Sequence, residues 1–288
     1  MAFGDEMSGM DFDIATYKER TGRLTWDDID VGSFADRPLP EWALRCLRYM
    51  HDVEFHTVCY ARDLLLTAAH ADPEVTAFLS FWVYEEYWHG EAISAVLAAH
   101  GEPHGDQRVQ PLRAGLGAAD RMRALTMTAA SAVAGPDFVA VHMAWGAINE
   151  WTTQAGYAQL ARRASHPVLS ELLRRIMRQE GRHIDFYASQ AERRLAASAR
   201  ARRLTRWALR RLWSPVGSGV MPEEETAHLA LSLFGGDEGR DVARRIDRRV
   251  DRLPGLAGLG LLEAAVASRG AWPVVADAHD AGLERLTA

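Results

Sequence analysis

Two Glu-x-x-His tetrapeptides, Glu86-Tyr87-Trp88-His89 and Glu180-Gly181-Arg182-His183, each follow a lone glutamate at nearly the same distance. Glu54 precedes Glu86 by 32 residues, and Glu150 precedes Glu180 by 30. Positions i and i+3 share a helix face, so each tetrapeptide aims a carboxylate and an imidazole at one point. A lag of about 30 residues is what one helix, a short turn and an antiparallel return require. The pattern therefore predicts four helices packed around a shared centre.

Periodicity agrees with that layout. Leu47, Met50, Glu54, Thr57, Val58, Ala61 and Leu64 form one apolar stripe, and Phe78, Leu79, Trp82, Glu86, His89, Ile93 and Val96 a second. Val139, Met143, Gly146, Ala147, Glu150, Thr153 and Tyr157 make a third, and Leu169, Leu172, Leu173, Ile176, Glu180, His183 and Tyr187 a fourth. Each candidate ligand thus falls on a core-facing stripe of 3.6-residue period. Four carboxylates in one core are costly unless cations compensate them. Four carboxylates and two imidazoles form the ligand set of a carboxylate-bridged di-iron centre, and two ferrous ions balance the charge.

A Glu-x-x-His on its own carries little information. Glu225-Thr226-Ala227-His228 also fits, but Leu195, Arg194 and Arg193 stand where the lone glutamate belongs. That copy follows Pro222 in an acidic run and reads as a helix N-terminus complementing the macrodipole.

The expected class is all-α: an antiparallel four-helix bundle with additional C-terminal helices. The spacing predicts a first bundle helix from near Glu41 to about Ala71 and a second from Pro73 to the turn at His100. A shorter helix is expected over 117–133, a third ligand helix after Gly135-Pro136, and a fourth after Ser165-His166-Pro167. Residues 1–40 read as a polar extension wrapping the bundle, 41–213 as the bundle, and 214–288 as a C-terminal helical extension. Ser214–Gly219 is the clearest boundary, and breaks follow at Gly235-Gly236 and Pro254-Gly255.

Among the 288 residues, 48% are apolar, ample for a large core, and the net charge of −6 gives no nucleic-acid signature. Cys46 and Cys59 fall on one helix about 20 Å apart, too far for a disulfide. No Cys-x-x-Cys offers a second metal knuckle. The acidic start Met1–Glu6 lacks the apolar core of a signal peptide, and no apolar run is long enough to span a bilayer, so a cytoplasmic protein is expected.

The quoted motifs, with Glu85-Glu86-Tyr87-Trp88-His89-Gly90, Glu150-Trp151-Thr152-Thr153 and Glu180-Gly181-Arg182-His183, resemble the acyl-carrier-protein desaturases, di-iron enzymes of the ferritin-like superfamily. The resemblance covers about residues 41–200. It implies two iron ions, with Glu86 and Glu180 bridging, Glu54 and His89 completing one iron, and Glu150 and His183 the other. It also implies O2 as co-substrate, desaturation of a carrier-bound fatty acyl chain, a ferredoxin-type electron donor and a homodimer. Thr153 matches the threonine that desaturases place beside the oxygen-binding face. One departure is Gln179, which stands where the family has an acid orienting the opposite histidine; the amide can accept the same hydrogen bond without charge. The alternatives are a di-iron hydroxylase of a specialised metabolite, a ferritin-like iron-handling protein and a bundle that binds no metal.

Met143, Trp145, Gly146, Trp82 and Phe81 are expected to line the slot for the acyl chain. Arg193, Arg194, Arg200, Arg202, Arg203, Arg206, Arg210 and Arg211, interleaved with Leu204, Trp207, Leu212 and Trp213, form a basic segment. It suits an acidic carrier protein, a membrane surface or plain solvent.

Overall fold

The computed structural model describes residues 12–272 (backbone only at 106, 118–121 and 123) and forms no strand among them. The sequence expectations for Met1–Glu6 lie outside the described residues. Four long helices carry the ligand stripes: α2 (Glu41–Leu65), α3 (Pro73–Ala99), α5 (Asp137–Ala164) and α6 (Pro167–Ala197). The short α1 (Ile14–Arg20) precedes them, and α4 (Gly105–Ala134) links the two halves. Beyond them come α7 (Ala199–Leu212), α8 (Glu223–Phe234), α9 (Gly236–Arg252) and α10 (Leu261–Ala267).

Local chemistry sets the hairpins. Asp72 caps α3, its side chain accepting from the amides of Glu74 and Val75, and Pro73 takes the first helical position, where no amide hydrogen is needed. His166 and Pro167 repeat that arrangement at α6. Ser165, at φ 48°, turns the chain sharply enough for α6 to pack back along α5. The hairpins α2/α3 and α5/α6 meet through α2 with α5 and α3 with α6, which is the antiparallel four-helix bundle. One apolar cluster runs from Tyr17, Leu24 and Phe34 through the bundle to Phe234, Val242 and Leu262.

Two boundaries differ from the sequence expectation. The first bundle helix stops at Leu65 rather than near Ala71, because the Thr67 hydroxyl donates to the Leu64 carbonyl and accepts from the Ala69 amide, opening a 3-10 turn. α4 starts at Gly105, twelve residues before the expected 117, and bends at Gly117 (φ 48°). Its early start is held by the Gly105 amide, which donates to Ser94 Oγ at 2.9 Å, and by Arg108 paired with Asp52. Pro111 inside the helix is what disguises this turn in the sequence.

Gly146 marks the tightest approach in the bundle. A Cβ there would overlap the ring of Tyr187. That ring is fully buried between Phe78 and Trp82, both edge-on at 5.1 and 5.6 Å. Gly146→Val should therefore destabilise the fold by about 3 kcal/mol or more, overpacking outweighing any gain in helix propensity. Urea unfolding of the metal-free protein checks this; an unchanged midpoint would contradict the packing.

Candidate metal centre

Glu54 on α2, Glu86 and His89 on α3, Glu150 on α5, and Glu180 and His183 on α6 are all buried and converge in the middle of the bundle. His89 Nδ1 lies 3.3 Å from Glu86 Oε2 and 3.3 Å from Glu180 Oε1. His183 Nδ1 lies 3.1 Å from Glu86 Oε1 and 3.0 Å from Glu180 Oε2. Glu86 and Glu180 thus each turn one oxygen toward each imidazole. Two overlapping cages result, Glu54/Glu86/His89/Glu180 and Glu86/Glu150/Glu180/His183, with ligand atoms in each within 4.8 Å of one another. Either group could hold a metal ion, and the two shared carboxylates stand between them.

The atoms facing the centre are incompletely satisfied. His89 Nδ1 and Glu180 Oε1, 3.3 Å apart, make no hydrogen bond of acceptable geometry although both are sealed from solvent. Buried polar atoms are rarely left so without a partner that completes them. A cation suits both, since a lone-pair nitrogen and a carboxylate oxygen are donors to metals but not to each other.

The outward nitrogens explain why Nδ1 points inward. His89 Nε2 lies 2.9 Å from Gln179 Oε1, while the Gln179 amide donates to the Gly22 carbonyl at 3.0 Å. That second bond fixes the amide orientation, so Oε1 accepts and His89 Nε2 carries the hydrogen. His183 Nε2 donates to Glu85 Oε2 at 2.8 Å, and Glu85 also takes bonds from Tyr17 and Arg182. Both partners sit one position before a Glu-x-x-His: Glu85 before Glu86, Gln179 before Glu180. Each supports the histidine of the opposite motif, as expected for Gln179. For Glu85 the signal was present in that symmetry, but sequence reasoning assigned the residue no role. Tyr17, from the N-terminal extension, carried no such signal.

Two further contacts bear on the ligands. The Tyr157 hydroxyl donates to Glu54, and Trp82 Nε1 donates to Glu150 Oε1 at 3.2 Å. The terminal carboxylates are thereby tied to the bundle wall, leaving Glu86 and Glu180 to be fixed by the histidines.

Electrostatics sort the six groups into three pairs. Burial, reinforced by neighbouring carboxylates, pushes Glu54 and Glu150 well above the usual carboxylate range. Burial acts on Glu86 and Glu180 as well, but the two imidazoles beside them, with Glu54 beside Glu86, outweigh it and hold both below that range. Burial opposes charge on the imidazoles too. Glu180 and Glu86 nonetheless raise His89 to about 9, and His183 is raised well above its ordinary value by Tyr17, Glu180, Glu85 and Glu86. Burial thus favours the neutral acid forms of Glu54 and Glu150, while the two imidazoles and the two shared carboxylates stabilise one another's charges.

Because His183 is backed by a carboxylate and His89 by a neutral amide, the two cages differ in ligand basicity. Glu85→Gln should weaken metal binding about 10–100-fold, chiefly at the His183 cage. Stepwise titration against a competing chelator would show one affinity falling; two equal losses, or none, would contradict the assignment.

Thr153 does not touch the six ligands directly in any recorded bond. It lines a cavity of about 60 Å³ that also reaches Glu54 and Tyr157. Val216, Leu229, Phe234 and Leu262 from the C-terminal segment close its outer side, a role that sequence periodicity did not reveal. Met143, Trp145, Gly146, Trp82 and Phe81, expected to line an acyl slot, pack inside the bundle. None of these lines that cavity or the larger one described below, because Tyr187 fills the space beside Gly146 and Trp82 is stacked on Phe78.

The third Glu-x-x-His is a surface feature. Glu225 is paired in bidentate fashion with Arg45, at 2.8 and 2.9 Å, and His228 contacts the Trp42 carbonyl. The arginine-rich segment is largely occupied by the protein itself. Arg193 pairs with Glu74, Arg194 with Asp72 and Arg200 with Asp137, while Arg202 and Arg206 donate to backbone carbonyls. Charge reversal at Arg202 would therefore disturb the end of α6 rather than report a partner. Arg203, Trp207, Arg210 and Arg211 share the exposed face of α7.

No helix among the described residues is long and apolar enough to cross a membrane. No family model, curated protein or solved structure matches this chain, so its chemistry is argued from the site itself.

Proposed function

We propose that this protein is a non-haem di-iron oxidoreductase that uses O2 to oxidise an unactivated C–H bond. The observation that carries the proposal is the pair of shared carboxylates, Glu86 and Glu180, each offering one oxygen to either imidazole Nδ1. Glu54 and His89 would complete one ion, Glu150 and His183 the other, giving each an oxygen-rich set with one nitrogen. Two iron ions bound there would supply the redox power toward O2 that no side chain has.

The chain's own residues do the rest. Glu85 and Gln179 hold the imidazoles with Nδ1 turned toward the centre, where an ion would sit. Tyr157 and Trp82 hold the terminal carboxylates. The aromatic layer of Phe78, Trp82, Phe186 and Tyr187 excludes water from the α3/α6 side. Thr153 lines the cavity that also reaches Glu54, which is where the resemblance expects a threonine beside the oxygen-binding face.

The partners implied by the resemblance, an acyl carrier protein, a ferredoxin-type donor and a second copy of this chain, belong to this proposal. The remaining surface for an acidic carrier is the Arg203/Arg210/Arg211 face of α7. The test is O2 consumption by the iron-loaded, chemically reduced protein with and without acyl substrates, followed by product mass. Loss of two hydrogens supports desaturation; gain of one oxygen supports the hydroxylase alternative. O2 consumption that never depends on an organic substrate would replace both with iron handling.

A further inference from the structure

A second cavity reaches the centre from the opposite side of α2. It measures about 510 Å³ and is lined by Glu54, Phe55 and Val58 of α2, Val83 and Tyr87 of α3, and Val109, Gln110 and Arg113 of α4. The two cavities share Glu54 and nothing else. Their sizes separate their uses. About 60 Å³ admits a few water-sized molecules, whereas about 510 Å³ falls within the range that ordinary organic ligands occupy.

The chemistry of the larger cavity is specific. Phe55, Val58, Val83, Tyr87 and Val109 make its walls apolar. The Phe55 ring packs against Gly90 and Gly105, where a Cβ would stand 2.6 and 3.1 Å from it. Val58 and Tyr87 are 44% and 46% exposed, so the apolar wall continues to the surface and the cavity has an open mouth. Arg113 is the one cation in the lining. A guanidinium nitrogen donates to the Phe55 carbonyl, which anchors the side chain over the cavity. No carboxylate among the described residues pairs with Arg113 in any recorded contact.

An apolar slot with a metal-ligand carboxylate at its inner end and an unneutralised guanidinium on its α4 side suits a molecule of matching polarity. We infer that the α2/α3/α4 cavity binds a single-chain amphiphile as a free carboxylate, with its anionic end at Arg113 and its apolar chain directed toward Glu54. This deepens, and rests for its catalytic meaning on, the oxidoreductase proposal above. Entry as a free acid is the alternative to delivery by the acidic carrier named above, and binding measured without a carrier distinguishes the two.

Binding can be read without turnover. Wild-type protein, metal-free and metal-loaded, is titrated calorimetrically with decanoate and with decanol, which share an apolar chain and differ in charge. Decanoate should bind about tenfold or more tighter, the value of a charge-assisted contact. Arg113→Gln, at an exposed position, should erase that preference while retaining decanol binding. Val58→Trp, also exposed, should fill the mouth and abolish binding of both, with circular dichroism melts confirming that each variant folds. Equal affinities for decanoate and decanol, a preference that survives Arg113→Gln, binding indifferent to Val58→Trp, or binding of neither probe would each overturn the inference. Failure of the metal proposal reads out separately, because an absence of bound iron leaves the calorimetry of the metal-free protein unchanged.

Discussion

Glu86→Ala should empty both metal positions, taking the protein from about two iron ions per chain to close to none. The expectation follows from one side chain serving two cages: its oxygens stand 3.3 Å from His89 Nδ1 and 3.1 Å from His183 Nδ1. Removing it leaves each cage with three protein ligands and leaves the space between the imidazoles without its negative charge. Glu180→Ala should behave alike, for the same geometric reason. Glu54→Ala and Glu150→Ala make a sharper contrast, since each belongs to a single cage and should cost about one ion. Metal content by plasma mass spectrometry reads all four variants against the wild type. A thermal melt adds an independent measure: metal at a thousand times its dissociation constant stabilises the wild type by about 4 kcal/mol, and this gain should vanish in Glu86→Ala. Wild-type protein that binds no metal, or a Glu86→Ala variant that retains both ions, would remove the basis for any redox chemistry.

The buried cluster that could hold metal was legible in the sequence because each histidine is tied to its glutamate at i+3, and each pair to a lone glutamate on the preceding long helix of its hairpin. Those relations are local or set by a single turn, so no knowledge of distant packing is needed to find them. Helix ends were less legible. Ending the first bundle helix at Leu65 depends on the Thr67 hydroxyl, and starting α4 at Gly105 depends on Ser94 and on the Phe55 ring from two other helices. The residues expected to line an acyl slot do not border either cavity that reaches Glu54, for a different reason. Small and aromatic residues near a site suggest space, but whether space remains depends on which ring turns into it, and Tyr187 turns into Gly146. The cavities that do reach Glu54 are completed by α4 and by the C-terminal segment, whose contact with the site no periodicity announces. Glu85 and Gln179 lie between these extremes: their shared position before the two motifs is visible, and their cross-helix targets follow from the twofold likeness of the hairpins.

Binding of divalent ions should release protons from the cluster, making metal loading pH-dependent. In the metal-free cluster His89, at about 9, and His183 hold their protons more tightly than a free imidazole, and Glu54 and Glu150 more tightly than a free carboxyl. A proton on any of these groups must leave before the group can act as a ligand. Stability of the metal-free protein moves the other way. The imidazolium contributions are fully present below pH 6.5 and are lost as pH rises, through about 9 for His89. Glu54 and Glu150 hold extra protons in the folded state, so each disfavours folding increasingly as pH climbs from 4.5 toward its raised value. Glu86 and Glu180, held low, contribute above pH 4.5 and lose that contribution only in acid. Between pH 6 and 8 the metal-free protein should therefore lose stability while metal affinity rises, so the thermal shift produced by metal widens with pH. Adding a redox-inert divalent ion such as Zn2+ to weakly buffered protein with an indicator dye counts the protons directly. Proton release that is abolished in Glu86→Ala would show that the bundle core exchanges protons for metal. No release on confirmed binding would mean the carboxyls and imidazoles are already deprotonated, and that charge balance in the empty core is achieved in some other way.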